Sequence, residues 1–489
     1  MKKREYLSLS FFFILVIIII MDNPLILPNQ VLIAADLGIF FDTIGIILGI
    51  YTIIHAITIV ISGYTTDLFE RKKLLIMAGL LWSITAILHI FITELWQLVI
   101  ARIFAAIATG ITAPLIISYI ADMVSSESRS KSFAVWSLVS TIGSLFATFF
   151  ALSFNKIPYE RVDIESKSIR ENISYISLNF PNLLNTWRYP FLILGIVGLI
   201  FTIFGLFLTV EPKRAAKEKF LESILTEDTL QYSYKIKFGD LKNIYKRKSN
   251  IFLTLNFFDV IASGLVVAYI FPYFNLELGI SFSDFFGILT LGVLLLFVFG
   301  FGLIFGQFWL AHLGDKKVRS GDLSGRIKVA TICSILTLPF LLGGFIMTPN
   351  VANKTFFFGS VSVNLTVFWV LWICFSSLLG IGFAFTFGIA PNWYSALIDV
   401  NLPEHKGTVV AMGTFIDFVG RTIGVILGGF IIAWTDSFSL TILWSTLIFG
   451  VLSICLWIPL FFTSEKDTNQ IREILKERAI NIKSQGEIS

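Results

Sequence analysis

Apolar runs of bilayer-crossing length recur along the whole sequence, and no polar stretch between them is long enough to build a domain of its own. A helix needs about 20 apolar residues to cross ~30 Å of hydrocarbon. Spans are expected near 7–32, 43–65, 74–93, 96–121, 131–152, 187–210, 250–275, 284–312, 327–348, 365–391, 408–434 and 438–462, twelve in all. The composition agrees. The chain is 56% hydrophobic and only 14% charged, against about 25% charged in soluble domains. An ordinary water-soluble enzyme is therefore excluded, and the expected fold class is an all-α membrane protein. Cys333, Cys374 and Cys455 stand far apart in apolar runs. They suggest neither a disulfide framework nor a metal site, and no cofactor is expected.

The first span carries a constraint of its own. Leu7 to Met21 is ~22 Å of helix, too short to cross alone. The helix must continue through Asp22, Asn23, Pro24 and Pro28, which puts a carboxylate inside the membrane. Lys2, Lys3 and Arg4 precede this run, but no small-x-small cleavage pattern follows it, so an uncleaved span is expected.

Basic residues orient the bundle. With the N-terminus inside, 29 of the 37 Lys and Arg fall at the inner face and six at the outer face. The remaining two, Arg102 and Arg421, lie inside spans. Both termini are expected in the cytoplasm, in a protein of the plasma membrane. A missed span would scramble this alternation, so the asymmetry also supports the count of twelve.

Residues 211–249 separate two groups of six spans. Pro114, Asp122, Glu127, Arg129 and Gly143 reappear 277 residues later as Pro391, Asp399, Glu404, Lys406 and Gly420. Two pseudo-symmetric six-helix bundles follow: 1–210, a linker over 211–249 with amphipathic helices, 250–462, and a cytoplasmic tail over 463–489. Duplicated bundles place substrate near the midplane between the repeats and rock one half against the other.

Several motifs sit at matching points of this topology. Gly63-Tyr64-Thr65-Thr66-Asp67 precedes Glu70-Arg71-Lys72-Lys73, and a second-half copy reads Ala311-His312-Leu313-Gly314-Asp315, with its basic end displaced to Arg326 and Lys328. Gly63 would let neighbouring helices approach, and Asp67 would cap a helix end or pair across the halves. Glu127-x-Arg129 and Pro403-Glu404-His405-Lys406-Gly407 form another repeated pair. This set resembles the G-x-x-x-D-x-x-G-R-K and P-E-x-R-G signatures of the major facilitator superfamily, with Glu70 standing where the family has Gly. Arg102, Gly110 and Pro114 resemble its fourth-span arginine motif. Gly143-Ser144 replaces the Gly-Pro motif of the drug/proton antiporters. Met21-Asp22, Trp187-Arg188 and Glu211-Pro212-Lys213-Arg214 resemble the Spinster-like branch, which moves sphingolipids or lysophospholipids. Asn23 there replaces an Arg, and that branch's fourth-span acid is missing.

The resemblance implies the twelve-helix transporter fold and a cytoplasmic gate formed by Gly63, Asp67, Arg71, Lys72, Asp122, Glu127, Arg129, Asp315, Arg326, Asp399, Glu404 and Lys406. It also implies that spans 1, 2, 4, 5, 7, 8, 10 and 11 line the cavity. An ionisable group at the centre of a span costs ~2.5–3.5 kcal/mol, so each needs a reason. Asp22, His55, Arg102, Asp259, Asp417 and Arg421 all fall on cavity spans. Asp22 lies ~22 Å along its helix from the inner side and Arg102 ~9 Å from the outer side, which is one level in a ~30 Å core. They are expected to pair or to exchange partners. Asp417 and Arg421 are four residues apart and can pair on one helix face. Asp259, without a local partner, is a candidate for a proton or a cationic group, or for a pairing with Arg421. His55, alone among Ile and Thr, reads more readily as a hydrogen-bonded packing residue than as a proton relay. His89 lies near the end of an outer span, where snorkelling is cheap. The run from Tyr269 to Phe274 reads as a gate or as an interfacial aromatic belt. Asn172-Ile173-Ser174 is a glycosylation sequon.

The function expected is secondary active transport of a small organic or amphipathic, lipid-like solute by alternating access, with protons as a coupling ion. The expected partners are that substrate and membrane lipids, not nucleic acid, and the expected working unit is a monomer. No P-loop is present to supply ATP drive. Two alternatives stand beside this reading: a transporter-fold sensor without turnover, and a polytopic membrane enzyme, for which the sequence shows no catalytic cluster.

Overall fold

Pro24 and Pro28 break the first span. Proline removes a backbone donor and crowds the preceding turn. The helix accordingly runs as Lys3–Ile20, Asp22–Ile26, a 3₁₀ turn Leu27–Asn29 and Gln30–Leu37, and ends at Gly38 with φ +63°. Only glycine adopts that left-handed conformation without strain. Span 1 therefore reaches Leu37, five residues beyond the expected end, and carries Asp36 as well as Asp22. The computed structural model describes residues 3–123, 126–162, 167–211, 244–282, 284–347, 349–351, 353–356, 361–402 and 406–486. The two amphipathic helices expected between 213 and 245 lie almost wholly outside the described residues.

Among those residues, eleven helices are long and apolar enough to cross a membrane. They are span 1 (Leu7–Leu37), span 2 (Phe41–Thr66), span 3 (Arg71–Phe91), span 4 (Leu95–Ile120), span 6 (Pro181–Leu208), span 7 (Lys248–Leu276), span 8 (Phe285–Arg319), span 9 (Gly325–Ile346), span 10 (Leu365–Asp399), span 11 (Val409–Thr435) and span 12 (Phe438–Ile474). The helix Ser126–Leu152, with its apolar part Val139–Leu152, stands in the place of span 5. Span 12 belongs to a helix that continues to Gly486, where a solvated tail was expected. It is held by Asp467, which accepts from the Ser249 backbone N–H at 3.0 Å at the start of span 7.

The repeat is visible in the packing. Span 4 packs on spans 2 and 3, and span 3 on span 6; likewise span 10 packs on spans 8 and 9, and span 9 on span 12. The halves meet mainly along spans 2 and 11. Phe41 approaches Gly429, Gly45 approaches Tyr269 and Val425, and Gly49 approaches Ile426. His55 faces Phe418 at 5.4 Å between ring centroids. Beyond His55, towards the Arg326 end, Val60, Ile61 and Tyr64 of span 2 are exposed. A carbon added to Gly63 would meet nothing within 4 Å. The close approach expected at Gly63 is thus not made.

At the opposite, Arg188 end, the halves are bound together. Gln30 donates to Ala268 O at 2.5 Å, and Ser281 to Ile157 O at 3.1 Å. The Ile169 N–H, opening the short helix Ile169–Asn179, donates to Asp436 Oδ1 at 3.0 Å. Tyr269, Phe271, Tyr273 and Phe274 are all buried here, so they belong to this closed end and not to a lipid-facing belt. Asn172 is buried as well, which removes it as a glycan acceptor in the folded chain. Asp436→Ala removes a helix N-terminal acceptor and is expected to cost about 1 kcal/mol locally. The check is faster amide exchange over 169–172 with exchange inside the spans unchanged.

Candidate functional site

Asp22 sits at the break in span 1, where the helix ladder is interrupted and its carboxylate points into the first half. Arg102 of span 4 meets it with Nη1 at 2.7 Å from Oδ2 and Nη2 at 3.3 Å from Oδ1. Both side chains are 1% exposed. A two-pronged guanidinium–carboxylate contact of this kind is the strong form of an ion pair. Two residues complete the cluster: Trp82, which the sequence did not mark, and His89, which it placed at the surface. Trp82 Nε1 donates to Asp22 Oδ1 at 3.1 Å, and His89 Nε2 lies 2.6 Å from Arg102 Nη2. A guanidinium only donates, so His89 Nε2 must accept. Its proton then sits on Nδ1 and is donated to Thr85 O at 2.8 Å. His89 is fully buried and stacks on Phe191 at 4.3 Å. It does not snorkel to the surface, because span 3 turns it inwards against span 4. The guanidinium also lies over the Phe191 ring at 5.2 Å, a favourable cation–π position.

A cavity of about 650 Å³ lies between the halves. That is the size range of small-molecule sites. Its wall comes from spans 1, 2, 4, 5, 7, 10 and 11, and includes His55, Asp417 and Arg421. Asp22 and Arg102 are not on this wall. Asn23, Pro24 and Tyr51 line the cavity beside them, and the Tyr51 ring is 5.9 Å from the Arg102 guanidinium. Pairing makes their burial tolerable, and the pair is enclosed behind the wall instead of facing solvent. His55 Nδ1 lies 3.0 Å from Thr109 Oγ1, and the ring stacks on Tyr51.

In the second half Arg421 Nε donates to Asp417 Oδ2 at 3.0 Å, four residues back on the same helix. Both face the cavity, with 41% and 23% of their side chains exposed. Asp259 lies off the main cavity, in an adjoining one of about 310 Å³ that also touches Asp417 and Arg421. Its Oδ1 accepts from the Val260 backbone N–H at 2.9 Å. Among the described residues it forms no ion pair with Arg421, whose Nε is engaged by Asp417.

Charged clusters brace both ends of the bundle. Near the start of span 3, Glu211 accepts from the Arg71 and Lys72 backbone N–H groups at 3.1 and 2.8 Å. Negative charge is stabilised at a helix N-terminus, so the end of span 6 holds the start of span 3. Arg71 Nε donates to Ser118 at 2.8 Å. Arg326, opening span 9, bridges Asp315 at the end of span 8 and Asp399 at the end of span 10. In the loop before it, burial alone would raise the Asp322 carboxyl, but Lys328 and Ser324 outweigh this and hold it below the usual carboxylate range. The side chains of Asp67, Asp122, Glu127, Arg129, Glu404 and Lys406 lie outside the described residues. At the other end Arg188 Nη2 pairs with Asp36 at 2.6 Å, and Trp187 Nε1 donates to the same oxygen at 3.0 Å. The adjacent Trp and Arg were visible in the sequence. Their partner was not, because span 1 was read as ending before Asp36.

Comparison with known proteins agrees with this architecture. The family model described as Major Facilitator Superfamily matches residues 12–398. A D-xylose transporter of Levilactobacillus brevis is 32% identical over 95 residues, 19% of this chain and 21% of that protein. An arabinose-proton symporter of Bacillus subtilis is 29% identical over 106 residues, 22% of this chain and 23% of that protein. The chain thus matches only about a fifth of the length of these curated relatives. The crystal structure of a bacterial homologue of the human lysosomal transporter Spinster, inward-facing and unoccupied, superposes with a TM-score of 0.69 at 15% identity, covering 96% of this chain and 99% of that one. A D-xylose-proton symporter structure does so with a TM-score of 0.56 at 15% identity, covering 92% and 96%. At these identities the structural matches show a shared fold. By the family match and the paired six-helix architecture, the chain belongs to the major facilitator superfamily.

Proposed function

We propose that this protein is a secondary active carrier that moves a small organic or amphipathic, lipid-like solute by alternating access. The observation that carries this reading is the cavity between the halves, bound shut by hydrogen bonds at the Arg188 end, with span 2 unpacked at Gly63 towards the Arg326 end. Its wall pairs one ionic patch, Asp417 with Arg421, with apolar surface from Ile20, Leu27, Leu48 and Ile116. Such a wall suits a solute with a polar or charged head and an apolar body. The positive-inside bias supports a cytoplasmic Arg326 end, and therefore an inward-open conformation of a plasma-membrane protein.

Asp22 is the group we assign to proton coupling. Its carboxylate lies behind the cavity wall that Asn23, Pro24 and Tyr51 form, and its partner Arg102 has His89 as a second neighbour. Asp22→Asn is expected to flatten the pH dependence of uptake; an unchanged profile sinks the coupling role.

The carrier reading is tested by counterflow. A stabilisation screen over lipids, sugars, drugs and organic ions first supplies a ligand that raises the melting midpoint. Liposomes preloaded with that ligand should then accumulate its labelled form transiently. Ligand binding without counterflow would replace the carrier with the sensor reading.

A further inference from the structure

We propose that spans 8, 9 and 10 hold one anionic phospholipid in the leaflet at the Arg326 end, its acyl chain in an apolar groove and its headgroup on Lys316 and Lys317. The groove is a cavity of about 360 Å³. Leu310 and Leu313 of span 8, Ile332 of span 9 and Phe385 of span 10 line it, together with the two lysines. Leu310 lies ~10 Å along the helix from Lys317. The wall therefore passes from apolar to basic along span 8.

The groove opens towards lipid. Ile332 is 47% exposed, and Ile335, one turn further on span 9, is exposed as well. Phe308 is exposed just before the groove on span 8. None of the three lines the main cavity between the halves or the one beside Asp259. On a membrane-spanning helix, an exposed apolar side chain away from those cavities faces hydrocarbon. An empty groove on such a face would cost its walls their dispersion contacts. Lipid chains surround it, and an apolar wall takes one up without stranding a polar group.

Charge selects the headgroup. Lys316, Lys317 and Arg319 all fall in the last turn of the helix that ends span 8. The neighbouring acids are already engaged, Asp315 by Arg326 and Asp322 by Lys328. Among the described residues Lys316, Lys317 and Arg319 form no ion pair, so three positive charges stand uncompensated. Cations suit a helix C-terminus, and the positive-inside bias favours them at this end. Neither effect accounts for an apolar groove that shares its wall with two of them. Basic pockets between spans attract anionic headgroups. A phosphatidylcholine headgroup brings its own cation and gains less.

The site shares no lining residue with the cavity between the halves, so it stands apart from the carrier reading. Its test uses the full chain in phosphatidylcholine nanodiscs, with a phosphatidylglycerol probe carrying a diazirine in one acyl chain. Photolabel mapped by mass spectrometry is expected within 310–317 and 329–333, saturating with probe. Unlabelled phosphatidylglycerol should compete; added phosphatidylcholine and soluble glycerol phosphate should not. Lys316→Gln with Lys317→Gln should raise the half-saturating probe fraction roughly thirtyfold, about 1 kcal/mol for each lysine. Lys316→Arg with Lys317→Arg should stay near wild type. Lys246→Gln with Lys248→Gln removes the same charge elsewhere at this end and should leave the groove labelled. Melting in phosphatidylcholine alone establishes that each variant is folded; if the Lys316/Lys317 glutamine pair is not, Lys316→Gln alone, with a roughly fivefold effect, carries the comparison. Absence of label from both segments overturns the proposal. So does equal competition by phosphatidylcholine or glycerol phosphate, wild-type labelling in the variant that has lost Lys316 and Lys317, or an equal loss in the Lys246 and Lys248 variant.

Discussion

Arg102→Met is expected to destabilise the folded protein by about 3–5 kcal/mol, because it leaves Asp22 as an uncompensated buried carboxylate. Both side chains are 1% exposed, so water does not reach the stranded charge. Trp82 alone would still donate to Asp22. Asp22→Asn should be costly for the opposite reason, since it strands the guanidinium beside His89 and Phe191. The double variant, Asp22→Asn with Arg102→Met, removes both charges and should recover much of the loss. Melting midpoints of the four proteins, arranged as a double-mutant cycle, check this. Additive losses would show that the pair is not a coupled unit. The same cycle built on Asp417 and Arg421 should give a much smaller coupling, under about 1 kcal/mol, because that pair is partly exposed to the cavity.

Gly429→Val is expected to open the Arg188 end. A carbon added at Gly429 would stand 2.2 Å from Phe41 O and 2.8 Å from the Tyr269 hydroxyl. Phe41 belongs to the opposite half, so the overlap is relieved by separating the halves. Overpacking of this kind costs about 1–3 kcal/mol, enough to lower the closed-to-open ratio by roughly five- to 150-fold. Ser281 sits at this closed end with 3% exposure and reports on it. In a background with Cys333, Cys374 and Cys455 replaced by serine, Ser281→Cys should react slowly with a membrane-impermeant maleimide. Adding Gly429→Val should speed labelling at least about fivefold and reduce counterflow to a similar extent. Gly292→Ala is the control, because its added carbon meets nothing within 4 Å. Equal labelling rates in the presence and absence of Gly429→Val would refute the closure mechanism.

Some of this site was legible in the sequence for a simple reason. Helical rise is constant, so distance along a helix converts directly to depth. That conversion put Asp22 and Arg102 at one level, and they lie 2.7 Å apart. The spacing of four residues did the same for Asp417 and Arg421. Depth says nothing about azimuth. The rotation of span 3 decides whether His89 faces lipid or Arg102, and it faces Arg102. Trp82, two turns earlier on that helix, reaches Asp22 for the same reason. Azimuth likewise put Asp22 and Arg102 behind the cavity wall while leaving His55, Asp417 and Arg421 on it.

The sequence by itself determined the number and order of the apolar spans, the internal repeat and the family. These depend on local composition and on spacings along the chain, which survive without knowledge of neighbours. Only the tertiary structure decided which end is closed, which acids are paired and where space is left. Asp436 meets Ile169, 267 residues away, and Asp36 meets Arg188. Asp259, Ser334 and Thr446 line one small cavity from three different helices. Each of these depends on how whole helices pack side by side, and lateral packing is a property of the bundle that no single helix carries in its own sequence.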